Sequence, residues 1–296
     1  MKLNPLSLTD HQARQFIERL RWPHGAICPR CRKQEVVSVG GGRNGLYNCR
    51  RCRRQFTVTV GTIFEGSHIP LAKWVQAFHL VCASKKGMSA LQLSRMLGIT
   101  YKSAWHMAHR IRYVMQPTRK APPLRGTVEV DETYVGGKPR PYVKTPRSKR
   151  KSPVVALVGR ESGAAFTKTP ETISSKTLSA AIKQHVAKGV TVMTDELPAY
   201  ERIVGQYGRH LTVKHSAGEY ARGNAYTNTV ESFFALLKRG IMGSYHHVSR
   251  KHLSRYCDEF AFRWSHRDVS DTERTTAALQ QIAGKRLTFK HTIGLN

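Results

Sequence analysis

Three acidic residues stand in a chain that is short of them: Asp131 in the strand-like run 126–135, Asp195 closing the apolar run 190–194, and Glu231 on the apolar segment 228–238. Against 19 Asp and Glu the chain carries 49 Lys and Arg, a formal charge of +30. Acids do little for a polyanion binder, so acids placed where strands end point to hard-cation ligands. The chemistry this allows is Mg2+-assisted attack on phosphodiesters. Each acid also has an ordinary reading: Asp195 as a helix cap, and Glu231 as a surface partner of Lys238 or Arg239.

A second constellation is made of cysteines. Cys28-Pro-Arg-Cys31 and Cys49-Arg-Arg-Cys52 form two knuckles that can each place two thiolates on one Zn2+. Four thiolates leave no open coordination position, so the zinc is expected to hold the fold and not to do chemistry. Arg50, Arg51, Arg53 and Arg54, with Arg30, Arg32 and Lys33 across the other knuckle, set positive charge beside the ligands, where phosphate contact is the natural use and protein contact the competing one. Cys82 and Cys257 fall inside helix-like segments and read as small core residues.

The charge makes nucleic acid the leading partner without naming a reaction. With 296 residues and 40% hydrophobic content, two or three domains are expected. The chain has no run of about 18 apolar residues and its start lacks the apolar centre of a signal peptide. A cytoplasmic protein with no membrane partner is therefore expected.

The elements that must position these groups follow from periodicity. A short helix over 8–20, capped at Thr9 or Asp10, precedes short strands at 35–39 and 55–60 around the cysteines. From 71 to 115 the period is helical, and Gly98-Ile-Thr100 between two helices has the form of a helix-turn-helix with 101–112 as the recognition helix. Lys102, His106 and Arg110 are its candidate DNA contacts; a plain helical bundle is the alternative. Pro117, Pro122 and Pro123 mark a linker.

After the linker, strands alternate with helices: strands at 127–135, 154–158, 164–167, 190–194 and 211–214, helices near 175–188 and 199–207, then 227–239 and 249–265. This order implies a mixed α/β sheet flanked by helices, of the kind a ribonuclease-H-like fold requires. Between its first two strands lies a polar insertion with Lys138, Lys144, Arg147, Lys149, Arg150 and Lys151, expected as a basic loop that contacts DNA. The expected domains are 1–66 (helix and zinc ribbon), 67–118 (helix-turn-helix), 124–270 (catalytic) and a tail, 271–296.

Val130-Asp-Glu-Thr-Tyr-Val-Gly-Gly-Lys138, Met193-Thr-Asp-Glu196, His215-Ser-Ala-Gly-Glu-Tyr220 and Asn228-Thr-Val-Glu-Ser-Phe-Phe-Ala-Leu-Leu-Lys-Arg-Gly240 occur in one order, followed by Tyr245-His-His-Val-Ser249. With these motifs the chain resembles bacterial insertion-sequence transposases that carry an N-terminal zinc ribbon and a DDE-type, ISXO-like catalytic domain. The resemblance implies cleavage at transposon ends by water, then attack of the freed 3′-hydroxyl on target DNA. It implies Mg2+ or Mn2+ as catalytic cofactor beside structural Zn2+, double-stranded DNA as end and target, a homo-oligomer on DNA, and a place at the bacterial nucleoid. It implies Asp131 and Asp195 as ligands; for the third, Glu231 ranks first as the carboxylate, with Asn228 its rival three residues earlier on the same helix face. Lys238, two turns beyond Glu231, resembles a trailing phosphate-contacting Lys. Glu132 is expected to point to the opposite side of the strand from Asp131, and His215 to be structural. The competing function is an inactive zinc-ribbon and helix-turn-helix DNA-binding regulator derived from a transposase; a ribonuclease-H-type nuclease is a third.

Overall fold

The computed structural model describes residues 4–41, 44–118, 121–136, 151–195, 200, 208–213 and 226–294. The chain divides into two compact units: Met1–Met115 with Asp268–Asn296, and Gln116–Arg267. The stretch expected as a C-terminal tail is thus part of the N-terminal unit. Among the described residues no helix is long and apolar enough to cross a membrane.

In the first unit, α1 (Asp10–Arg21) opens with a capping box in which the Thr9 hydroxyl accepts from Gln12 N–H and the Gln12 side chain accepts from Thr9 N–H. The ribbon follows as a three-stranded antiparallel meander, β1 (Val36–Ser38), β2 (Tyr47–Cys49) and β3 (Gln55–Phe56). Trp22 packs edge-on against Tyr47 and Phe56, at centroid distances of 5.5 and 5.8 Å.

Next come α2 (Leu71–Ala83), α3 (Ala90–Leu97) and α4 (Tyr101–Val114). Gly98, with φ of 58°, ends α3 in the left-handed conformation, and the Thr100 hydroxyl starts α4 by accepting from Ser103 N–H. The two helices and the turn between them lie at the boundaries the sequence predicts. The core collects Phe64, Trp74, Phe78, Leu93, Met107 and Ile111. The C-terminal helix Asp271–Leu279 docks on α2, where Arg274 donates to the Cys82 carbonyl at 3.1 Å.

The second unit is a five-stranded sheet. Its strands are β4 (Thr127–Gly136), β5 (Lys151–Gly159), β6 (Ala165–Lys168), β7 (Val190–Thr194) and β8 (Gly208–Thr212), in the order β6-β5-β4-β7-β8. The first three run antiparallel as a meander; β7 and β8 run parallel to β4. That order and sense are ribonuclease-H-like. Strand alternation sends Val128, Val130, Val155, Leu157 and Val192 to one face, under Leu178 and Ile182 of α5 (Ser175–His185). The other face takes Val154, Ala156 and Val158 under α6 (Asn228–Gly240) and α7 (Leu253–Ser265), through Val230, Phe233, Leu237 and Phe260.

Three elements differ from expectation. The last strand lies at 208–212 and not 211–214, because parallel pairing begins at Val190↔Gly208. α6 runs on into a π-helical turn, Ile241–Tyr245, and the segment expected as one helix at 249–265 begins with a 3-10 turn, Arg250–His252. Most of the helix expected at 199–207 lies outside the described residues.

Gly208 shows why β8 starts where it does. With φ of +143°, a Cβ at this position would come within 2.3 Å of the Val190 carbonyl oxygen. Gly208→Ala is expected to cost about 2 kcal/mol or more by prying β8 from β7. Gly189→Ala, where φ is +76° but a Cβ meets nothing within 4 Å, should cost about half that. Urea melts of the two variants check the order, and equal losses would contradict it.

Candidate functional site

Asp131 lies on β4 opposite Ala156 of β5, and Asp195 directly follows β7. The parallel pairing of β4 with β7 ends at Glu129↔Met193, so the two aspartates lie just past the last paired residues of adjacent strands. The end of β7 is pinned: the Thr194 hydroxyl bonds the Asp195 carbonyl at 2.7 Å and His210 Nε2 of β8 at 2.9 Å. Oxygens of Asp131, Glu132 and Asp195 all lie within 4.8 Å of one another.

Glu132 corrects the expectation that it would turn away. Its carboxylate joins the cluster, and among the described residues the pairing of β4 with β7 ends at Glu129. Tyr200, fully buried, holds it there by donating its hydroxyl to Glu132 Oε2 at 2.7 Å.

The electrostatics fit a cation site. Burial pushes Asp131 up to about 7; the Glu132 backbone N–H, donating to Oδ1 at 2.7 Å, opposes this, while the charges of Asp195, Glu132 and Glu231 add to it. Glu132 is also raised, first by burial and then by Asp195, against the pull of the Tyr200 hydroxyl. Carboxylates this close favour a shared proton or a divalent cation. An all-oxygen donor set of a few carboxylates with room for water suits Mg2+ or Mn2+.

Glu231 is exposed on the first turns of α6, and Thr227 donates to its Oε1 at 2.9 Å. It acts on the cluster as a neighbouring charge that raises Asp131. Asn228 and Lys238 are exposed on the same helix. Glu132 and Tyr200 are the members that periodicity did not bring forward. Glu132 was legible only as a second acid next to Asp131, and Tyr200 has no signal apart from its contact.

The ribbon cysteines converge as spaced. Cys28 and Cys52 Sγ are 3.7 Å apart, Cys31 and Cys49 Sγ 3.5 Å, and all four lie within 4.8 Å. Tetrahedral zinc with Zn–S of about 2.3 Å sets sulfurs about 3.8 Å apart, so the donors fit the ion. The knuckles are copies of each other: Arg32 N–H donates to the Cys28 carbonyl and Arg53 N–H to that of Cys49, both at 2.9 Å, with Arg32 and Arg53 at φ of 60° and 54°. Burial pushes Cys28 up, but backbone N–H groups of Cys31 and Arg30 and the neighbouring thiols outweigh it and bring it to about 7. Arg50, Arg51, Arg53 and Arg54 are exposed.

The residues expected as DNA contacts on α4 divide. Lys102 is exposed, its ammonium 4.8 Å above the Phe289 ring, and His106 is half-buried edge-on to the same ring. Arg110 is a correction. It is 7% exposed and donates to the carbonyls of Leu287 at 3.0 Å and Glu65 at 2.9 Å, so these donors are spent inside the unit. It lies three residues after Met107 and four before Val114, on the stripe that builds the core. Lys151 is exposed at the start of β5, paired with Gly136; Lys138, Arg147, Lys149, Arg150, Glu196 and His215 lie outside the described residues.

A ribonuclease-H-like sheet gathers acids from the middle of β4 and from just past the end of β7, in a chain that also carries a four-cysteine ribbon. Residues 8–55 match the transposase zinc-ribbon domain and residues 123–265 the ISXO2-like transposase domain. The chain thus carries a transposase zinc-ribbon domain followed by an ISXO2-like transposase domain. A protein of the transposable element ISH50 from Halobacterium salinarum is 28% identical over 273 residues, covering 86% of this chain and 91% of that one. Among solved structures, the HTLV-2 integrase catalytic core domain in complex with magnesium is 16% identical, covering 47% of this chain and 84% of that chain at a TM-score of 0.30. A chain of the simian T-cell lymphotropic virus intasome is also 16% identical, covering 61% and 66% at 0.31. Scores this low add nothing to the strand order as ground for the fold.

Two outcomes follow. The protein should carry one zinc per chain; Cys31→Ser should lose it, and chelation should red-shift the fluorescence of Trp22 as its packing on Tyr47 and Phe56 comes apart. For Asp131, the folded value near 7 lies above the ordinary value of 3.8, so between them the folded state holds a proton that the unfolded state has lost. Stability from this group therefore falls as pH rises from about 4 to about 7. Mn2+ should relieve that loss, raising the melting temperature more at pH 8 than at pH 5; an equal shift at both, or one retained in Asp131→Asn, would contradict the assignment.

Proposed function

We propose that this protein is an active transposase: a Mg2+-dependent enzyme that cuts DNA at the ends of its element and joins the freed 3′-hydroxyl to target DNA. The observation that carries this reading is the clustering of Asp131, Glu132 and Asp195 within 4.8 Å, where β4 and the end of β7 meet, inside a domain of transposase family. Asp131 and Asp195 are the two principal ligands. Glu231 ranks first as the third, with Asn228 its rival, and Glu132 stands beside them as an additional carboxylate.

Bound by Asp131 and Asp195, Mg2+ would activate the attacking oxygen and stabilise the leaving one. In the first step a water oxygen attacks the phosphorus at the element's end. The bond from phosphorus to the 3′-oxygen breaks, leaving a 3′-hydroxyl and a 5′-phosphate. In the second, that 3′-oxygen attacks a target phosphorus and the target's own 3′-oxygen leaves, taking a proton; the number of phosphodiesters is unchanged. Asp131 and Asp195 hold the charge that makes this site selective for cations in a chain of +30. Lys238 fits contact with a phosphate near the reacting strand.

DNA is held by the basic surface. Arg50, Arg51, Arg53 and Arg54 on the ribbon grip phosphate, Lys102 and His106 reach from the helix-turn-helix, and Lys151 with Lys138, Arg147, Lys149 and Arg150 serves the strand beside the acids. Zinc holds the ribbon in shape. Bringing two ends together calls for at least two copies on DNA.

The test uses duplex DNA carrying the sequences that flank the protein's own coding region, with Mg2+ or Mn2+. Wild type should nick at the ends and join them to plasmid. Asp131→Ala and Asp195→Ala should lose cleavage by at least about a thousandfold with salt-sensitive DNA binding intact. Glu231→Ala should lose far more than Asn228→Ala, and the reverse order would assign the third position to Asn228. Binding without cleavage by wild type would identify a regulator, and cleavage of RNA–DNA hybrids without joining a nuclease.

A further inference from the structure

A fourth acid lies two residues upstream of Asp131, on the same face of β4 by strand alternation. Glu129 is fully buried, between Val128 and Val130, which face the other way. Its Oε2 accepts the backbone N–H groups of Thr229 at 2.8 Å and Val230 at 2.9 Å. Its Oε1 accepts the Thr229 hydroxyl at 2.9 Å and Arg160 Nε at 2.5 Å. Both oxygens are thus doubly occupied.

Those two N–H groups belong to the first turn of α6, where an α-helix has donors without partners inside the helix. The helix does not cap itself. Thr227 at the N-cap makes no capping bond, and its hydroxyl donates to Glu231 instead. The cap comes from a strand 100 residues earlier in the chain. Arg160 extends the hold, donating to the Tyr226 carbonyl at 2.5 Å with its guanidinium 3.5 Å above the Tyr226 ring.

A Ser or Asp at the N-cap would satisfy the same donors locally. Burying a carboxylate costs several kcal/mol unless every lone pair is met, which makes Glu129 a costly way to start a helix. What a distant cap adds is a tether. It ties the first turn of α6, the turn bearing Asn228 and Glu231, to β4 at a point two residues from Asp131.

We propose that Glu129, braced by Arg160, is a positioning residue of the metal site, fixing α6 to β4 and so setting where Glu231 and Asn228 stand relative to Asp131. This rests on the reading of Asp131 and Asp195 as metal ligands.

The test is Mn2+ binding to the whole zinc-loaded protein without DNA, by titration calorimetry, beside amide hydrogen exchange of the segment 226–234. Glu129→Gln sets an amide NH2 among four donors; Glu129→Asp keeps the charge and withdraws it by one methylene, and carries the test if the first variant fails to fold. Both should weaken Mn2+ binding roughly 10- to 100-fold and speed exchange at Thr229 and Val230, with DNA binding by the zinc-loaded protein in Mn2+-free buffer unchanged. Glu231→Ala should weaken Mn2+ binding in the wild-type background and add little in the Glu129 variant. Wild-type Mn2+ affinity in both Glu129 variants, or full multiplication of the Glu129 and Glu231 effects, overturns the positioning role. A wild type that binds no Mn2+ sinks the metal-site reading itself, and the positioning role falls with it.

Discussion

Carboxylates held within 4.8 Å of one another repel, and half-burying them makes the repulsion worse. The second unit is arranged around holding that unfavourable group together. Rigid strands bring Asp131 and Asp195 side by side, a buried tyrosine hydroxyl catches Glu132, and the hydroxyl of Thr194 locks the end of β7 to β8. The outcome appears in Asp131, which burial first and then the neighbouring carboxylates push up to about 7. A site that is uncomfortable by itself is selective for what relieves it.

The same unit buries acids in a second, opposite way. Glu129 and Glu259 are completely enclosed, yet donors surround them: Arg160, Thr229 and Val230 for the first, Tyr245 and Arg263 for the second. These two are bound by donors of their own unit and serve as fasteners. Glu129 ties the start of α6 to the sheet, and Glu259 of α7 takes the hydroxyl of Tyr245, the last residue of the π-helical turn beyond α6. Among acids of one type, the number of donors already in place separates structure from chemistry.

Much of this was readable in the residues. Regular spacing located the zinc knuckles, the Gly98 turn and every strand of the second unit to within a few residues, because each rests on local rules of period and capping. The site was legible in Asp131 and Asp195, whose motifs are local. Glu132 was missed because alternation describes the direction of Cα–Cβ bonds and not how far a Glu carboxylate can stand from its own Cβ. Arg110 was misread because charge was weighed above the apolar stripe it interrupts. Glu129 carries a signal only in hindsight, as an acid in a valine strand, since its partners lie a hundred residues away.

The first unit is discontinuous: its helical core, including Trp74 and Cys82, is covered partly by the helix Asp271–Leu279, which follows the whole second unit in the chain. During synthesis the residues that surround Cys82 therefore wait for Arg274 to emerge, and the acids of the second unit wait for α6. The cationic ribbon, whose sheet ends at Phe56, leaves the ribosome first. A nascent chain thus presents its ribbon arginines before the acids of the second unit have the helix that packs beside them.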